Sequence, residues 1–175
     1  MCWCGEKFGA LNQQEINDFL AGSWIARLAC LKPDGAPYVV PVWYHGDGDD
    51  FWIVPRAGSL WADYMARDPR VSLVVDEPEP PIRKVLCEGH AEIVGHPVGP
   101  YLENGQKSVW NKLGEEHTGP RYLGAKAAEY RGSVNVEPCW TFKIVSQKIM
   151  NWQGFGWHKL YFHEALHSPD DAHDS

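Results

Sequence analysis

The chain has 175 residues, 44% hydrophobic and 22% charged, which suits one ordinary globular core and not a disordered segment. A formal net charge of -7 argues against nucleic acid or an anionic membrane as the main partner. Apolar stretches such as 71–75 are strand-sized, far short of the roughly 20 residues of a membrane helix.

In chain order, the opening Met1-Cys2-Trp3-Cys4 lacks the basic start and apolar run of a secretory leader, so a cytoplasmic location is expected. Five cysteines at irregular spacing (Cys2, Cys4, Cys30, Cys87, Cys139) give no disulfide framework, and reduced thiols are the simplest reading. Asn12 to Ala21 reads as a short helix, with Asn12 and Glu15 in capping-box spacing and Ile16, Phe19 and Leu20 on one face. Ser23–Leu31 and Ala36–Tyr44 flank Pro33-Asp34-Gly35, the residues of a tight turn, and predict a β-hairpin. The polar run 45–50 predicts a turn into a strand at Phe51–Pro55. Gly58 and Ser59 then open a helix that Asp68-Pro69 ends. Arg70–Asp76 predicts a strand buried on both faces. The proline-rich 77–81 must be a loop, and Val85–Val94 a further strand.

Residues 97–131 change character. Tyr101, Leu102, Val109, Trp110 and Leu113 recur at helical intervals, predicting one helix before Gly114 and another over about 122–130. Trp140–Asn151 returns to strand, and 158–167 predicts a short helix before a frayed tail. Six strands joined mainly by tight turns mean antiparallel pairing. The expected fold is mainly β with peripheral helices, a six-stranded antiparallel barrel in one domain over 1–175. Its parts are a core at 10–95, a helical insertion at 96–132, a last strand and adjoining segment at 138–158, and a tail at 159–175.

The order and spacing of several segments carry a resemblance. They are Ile25-Ala26-Arg27-Leu28-Ala29-Cys30 with Pro33-Asp34-Gly35-Ala36-Pro37; Val39-Val40-Pro41-Val42-Trp43-Tyr44; Phe51 through Ser59; Asp68 through Asp76; and Cys87-Glu88-Gly89-His90-Ala91-Glu92. From Trp24 to Val94 the chain resembles the pyridoxamine 5′-phosphate oxidase-like superfamily of split β-barrels, FMN-binding type. The resemblance implies a homodimer with cofactor sites at the interface. The implied cofactor is FMN first, a deazaflavin coenzyme next, and heme in fewer relatives. It also implies an oxidoreductase exchanging a hydride with a small organic substrate. A non-catalytic flavin-, heme- or hydrophobic-ligand-binding protein is the alternative.

By the family pattern Val40, Pro41, Val42 and Trp43 flank the ring, although they would equally serve as plain barrel core. Val54, Arg56, Ser59, Leu60 and Trp61 fall on the phosphate-holding strand and turn. Chemistry supports an anion site there independently: Gly58 permits close backbone approach, Ser59 offers a hydroxyl, the next helix offers free N–H groups, and Arg56 offers a charge-assisted contact. The same residues also suit an ordinary strand–turn–helix. Relatives commonly place Arg-Lys where this chain has Leu60-Trp61, so two cations are missing. Lys84 or Arg83 could compensate. Trp152 and Trp157 lie where relatives reach across the dimer. Arginines that grip a substrate phosphate there are absent, and only His158 and Lys159 are basic, which disfavours pyridoxal phosphate synthesis. No catalytic residue is assigned.

Two motifs tempt a metal reading. His163-Glu164-Ala165-Leu166-His167 matches the zinc-protease pattern, but Pro169 follows and Asp170 replaces the usual glycine. Cys2 and Cys4 form half a zinc site. No metal is expected.

Overall fold

The structure, a computed structural model, describes residues 9–134 and 137–154. The Cys2/Cys4 pair, Trp157, His158, Lys159 and the 163–167 motif lie outside the described residues.

The first helix, α1 (Gln13–Leu20), begins where the capping box predicts. The Glu15 N–H donates to Asn12 Oδ1 at 3.0 Å, and the Asn12 N–H donates to Glu15 Oε2 at 2.7 Å. It buries Ile16, Phe19 and Leu20. The hairpin of β1 (Ala26–Leu31) and β2 (Pro37–Val42) follows. Gly35 takes the positive φ of 83° that its turn requires, and Asp34 Oδ1 accepts the Ala36 N–H at 3.0 Å. Two more short strands, β3 (His45–Asp47) and β4 (Asp50–Ile53), pair with each other. Helix α2 (Leu60–Arg67) leads into β5 (Arg70–Asp76) and the long β6 (Arg83–Val98). A helical segment then runs through α3 (Val109–Leu113), a π turn at Gly114–Thr118, α4 (Gly119–Leu123), a 3-10 turn at Gly124–Lys126 and α5 (Ala127–Val134). The last strand is β7 (Cys139–Gln153).

Among the described residues seven strands form one antiparallel sheet in the order β2-β1-β5-β6-β7-β4-β3. The expected six-stranded barrel is corrected on two counts. The polar run 45–50 is a strand pair and not a simple turn: His45 faces Trp52 and Asp47 faces Asp50. The sheet is also open, with β2 and β3 as its two edges. Only Trp43 and Tyr44 separate those edge strands in sequence, a span of roughly 11 Å at most. The sheet must therefore curl until its edges meet at one end.

The core lies inside this curl, where Leu28, Leu73, Val75, Val85, Phe51, Ile53, Phe142 and Ile144 are all nearly inaccessible, with α1 and α2 adding Phe19 and Met65. Along β5 the burial alternates: Val71, Leu73 and Val75 are buried, Ser72 and Val74 half-buried. One face is thus fully covered and the other partly, where the sequence predicted two buried faces. Edge strand β2 carries Pro37 and Pro41, both exposed, at the only kind of position where a sheet tolerates proline. The β6–β7 ladder shifts register at Glu88/Gly89. A side chain at Gly89 would sit 2.2 Å from the Val145 carbonyl oxygen, so the bulge requires glycine. Cys30, Cys87 and Cys139 are buried free thiols. Among the described residues no helix is long and apolar enough to cross a membrane.

Candidate functional site

A cavity of about 390 Å³ opens between the strand ends at the curled corner of the sheet and the helical segment 109–134. This volume is within the usual ligand-pocket range of roughly 300–1,000 Å³. One wall comes from Pro41, Val42, Trp43, His45 and the 52–56 segment, another from Ser59 and Trp61, and the roof from Trp110, Asn111, Leu113, Gly114, Thr118 and Gly119. Four tryptophans (Trp43, Trp52, Trp61, Trp110) line it, giving broad, rigid apolar surfaces suited to a flat ring.

The sheet positions the lower wall. The 55–57 segment runs beside the start of β7: the Trp140 N–H donates to the Pro55 carbonyl at 2.9 Å, the Ala57 N–H donates to the Pro138 carbonyl at 2.8 Å, and Arg56 bridges Cys139. Arg56 thereby reaches Glu137, Nη1 to Oε2 3.5 Å, with both side chains more than half exposed. So open a pair is weak and leaves the guanidinium able to turn to another anion. Ser59 is the N-cap residue of α2, but its side chain makes no cap hydrogen bond. The Ala62 N–H donates to the Ser59 carbonyl at 2.9 Å, and no Ser59 side-chain cap competes for an anion at the helix start. Asp63 lies in the same first turn and opposes a second negative charge.

The roof is pinned at two places. Trp110 Nε1 donates to the Val98 carbonyl at 2.9 Å, and Asn111 Nδ2 donates to the Pro100 carbonyl at 3.0 Å. Further on, the Tyr122 hydroxyl donates to the Trp24 carbonyl at 2.9 Å and accepts the Tyr44 N–H at 3.4 Å, while Arg121 Nη1 donates to the Tyr44 carbonyl at 3.1 Å. The Tyr122 ring stacks on Trp43, centroids 4.8 Å apart and planes 7° from parallel. Between these pins the π turn holds Gly114 and Gly119 over the cavity. A side chain on Gly119 would come within 2.5 Å of the Gly114 carbonyl oxygen, so the turn closes only around glycine. His117 of this turn stacks on His45, centroids 3.7 Å apart. Burial, His117 and Arg121 together hold the His45 imidazole below its ordinary pKa, against a smaller opposing pull from Asp47. Burial pushes the Cys139 thiol up to about 11, which keeps it protonated and unreactive at neutral pH.

Seven of the residues singled out in the sequence line this one cavity: Pro41, Val42, Trp43, Val54, Arg56, Ser59 and Trp61. Four do not. Val40 packs against the core from β2, and Leu60 points outward at 62% exposure. Lys84 and Trp152 face each other across β6 and β7. The compensating cations considered from sequence are placed elsewhere: Arg83 makes a two-pronged pair with Glu77 (2.8 Å each) and packs over Phe19, and Lys84 is not among the lining residues. Sequence reasoning missed His45, hidden in a turn-like run, and the roof residues Asn111, Gly114, Thr118 and Gly119. It noted Trp110 and Leu113 only as helix-forming. Glu137 and Cys139 were also missed. Among the described residues no group of three or more His, Cys, Asp or Glu could hold a metal ion.

Comparison with known proteins places this geometry. The chain is similar to the crystal structure of a conserved hypothetical protein from Mycobacterium tuberculosis at 26% identity, with 83% of this chain and 86% of that one covered and a TM-score of 0.63. It is similar to an FAD-binding protein from Mesorhizobium loti (22% identity, 85% and 98% covered, TM-score 0.56). It is also similar to an F420 reductase (21% identity, 77% and 94% covered, TM-score 0.54). The last two, at such identities, speak for the fold alone. No curated protein matches the chain. The family model for pyridoxamine 5′-phosphate oxidase matches residues 13–138, from α1 through the roof of the cavity, and the chain belongs to that family.

Proposed function

We propose that the cavity holds the planar ring of a flavin or deazaflavin, and that the protein is an oxidoreductase passing a hydride between that ring and a small organic substrate. The observation that carries this reading is the aromatic slot itself: Trp43, Trp52, Trp61 and Trp110 around about 390 Å³, beside Arg56 and Ser59. The residues suit such a ring. The walls are flat and apolar, and His45 offers an imidazole whose pKa is lowered by burial. When bound, the ring supplies the hydride chemistry. The chain's part is to orient it against Trp43, keep water out with the 109–134 roof, and present Arg56 to an anionic group. Family membership and neighbours that are named an FAD-binding protein and an F420 reductase support the class. Two copies of the chain acting as a homodimer complete the proposal.

A second reading, ligand binding without turnover, is favoured by the scarcity of reactive groups. Among the described residues the titratable lining groups are the Arg56–Glu137 pair, His45, Tyr130 and a Cys139 thiol that stays protonated. The test is a tryptophan-fluorescence titration of the purified protein with FMN, deazaflavin and heme, followed by a single-turnover reduction assay on whichever binds. Saturable quenching by a flavin-class ring, weakened by Trp43→Ala, is expected. Absence of binding by both flavin and deazaflavin would overturn the proposal, and tight binding without reducible turnover would favour the second reading.

A further inference from the structure

We propose that this cavity suits a flat ring bearing at most one negative charge and gives a phosphate monoester no binding advantage. The inference rests on reading the cavity as a ring site and adds the charge class of the ligand. Among the described residues the charged side chains in its lining are Arg56 and Glu137, 3.5 Å apart, so the formal charge of that lining sums to zero. A phosphate monoester carries about -1.5 to -2 at neutral pH and would find one arginine already shared with a carboxylate. The start of α2 and the Ser59 hydroxyl can accept one anionic oxygen, but Asp63 in the same turn repels a second charge. Trp61 lines the slot beside Ser59 and Leu60 points outward, neither bringing a cation. A neutral ring, or one whose tail carries a single charge, meets no such deficit.

The experiment compares riboflavin with FMN, the same ring without and with the monoester, by fluorescence titration of the full chain at low and high salt. Riboflavin should bind as tightly as FMN or tighter, within about threefold, with little salt dependence for either. The variant Leu60→Arg adds one cation at an exposed site. Because that side chain faces outward, it should raise FMN affinity only about two- to fivefold and leave riboflavin unchanged. FMN binding at least about tenfold tighter than riboflavin in the unmodified chain, with affinity falling as salt rises, would overturn the charge inference and leave the ring site standing. Failure of both to bind would overturn the ring site with it.

Discussion

Replacing Tyr122 by Phe isolates how the roof is held. The substitution keeps the ring stacked on Trp43 and removes one hydroxyl. That hydroxyl donates to the Trp24 carbonyl at 2.9 Å and accepts from the Tyr44 N–H at 3.4 Å, and both contacts are partly shielded from water. A typical internal hydrogen bond contributes about 1 kcal/mol, and a buried group left without a partner costs about 1–3 kcal/mol. The short bond counts in full and the long one in part, so Tyr122→Phe should cost about 1.5–2.5 kcal/mol. Tyr122→Ala also loses the stack, about 0.5–1.5 kcal/mol, and leaves a void, for a total of about 3–5 kcal/mol. Urea unfolding followed by tryptophan emission measures both. Hydrogen exchange should show the loosening concentrated in 109–134 and not in β5 or β6. If Tyr122→Phe lies within about 0.5 kcal/mol of the parent, the hydroxyl is not a pin and the account of the roof is wrong.

Three further outcomes follow from the same geometry. Gly89→Ala, which forces a methyl to 2.2 Å from the Val145 carbonyl oxygen, should destabilise by more than about 3 kcal/mol or abolish soluble expression, whereas a parent-like melting curve would refute the bulge. Burial works to raise the Glu77 carboxyl, but its Arg83 hydrogen bonds outweigh this and hold it below the usual range. Its contribution is therefore present above about pH 4.3 and lost as pH falls through the lowered native value. Glu77→Gln, which leaves a half-buried Arg83 without its carboxylate, should cost about 1–3 kcal/mol at neutral pH and shrink the acid-linked loss; unchanged acid titration of stability would count against the pair. His45 is held down in the folded chain chiefly by burial and by His117. Its contribution is full above about pH 6.5, the unfolded value, and declines as pH drops through the depressed native one. His117→Phe keeps a stacked ring and should flatten that decline in unfolding experiments, and an unaltered slope would contradict the stacked-pair explanation.

The sequence disclosed those features whose causes are local. Asn12 with Glu15 and the Pro33-Asp34-Gly35 turn act over three or four residues, and both appear as read. The lower cavity wall was legible for the same reason, since residues 41–43 and 54–59 lie on contiguous strand and turn segments. Strand β3 was not legible, because His45-Gly46-Asp47-Gly48 has turn composition. Its place is secured from distant β7, where the Ser146 N–H donates to Asp50 Oδ1 and its hydroxyl donates to the Asp49 carbonyl, and Lys143 pairs with Asp50 at 2.9 Å. The roof was seen as helix but not as roof. The contacts that make it one join Tyr122 to residues 78 and 98 positions away. The π turn that presents Gly114 and His117 to the cavity has no short-range composition signal.

The two prolines of β2 have a consequence for how copies of the chain can meet. Alternate residues of an antiparallel strand direct their backbone groups to the same side, so Pro37, Val39 and Pro41 form one series and Tyr38, Val40 and Val42 the other. With β1 engaging one series and proline barred from donating, the outward rim retains a single N–H, at Val39. A neighbouring molecule therefore gains no hydrogen-bonded ladder there. Self-association at this rim has to be written in side chains, which can be specific, and not in main chain, which would zip up with any extended peptide.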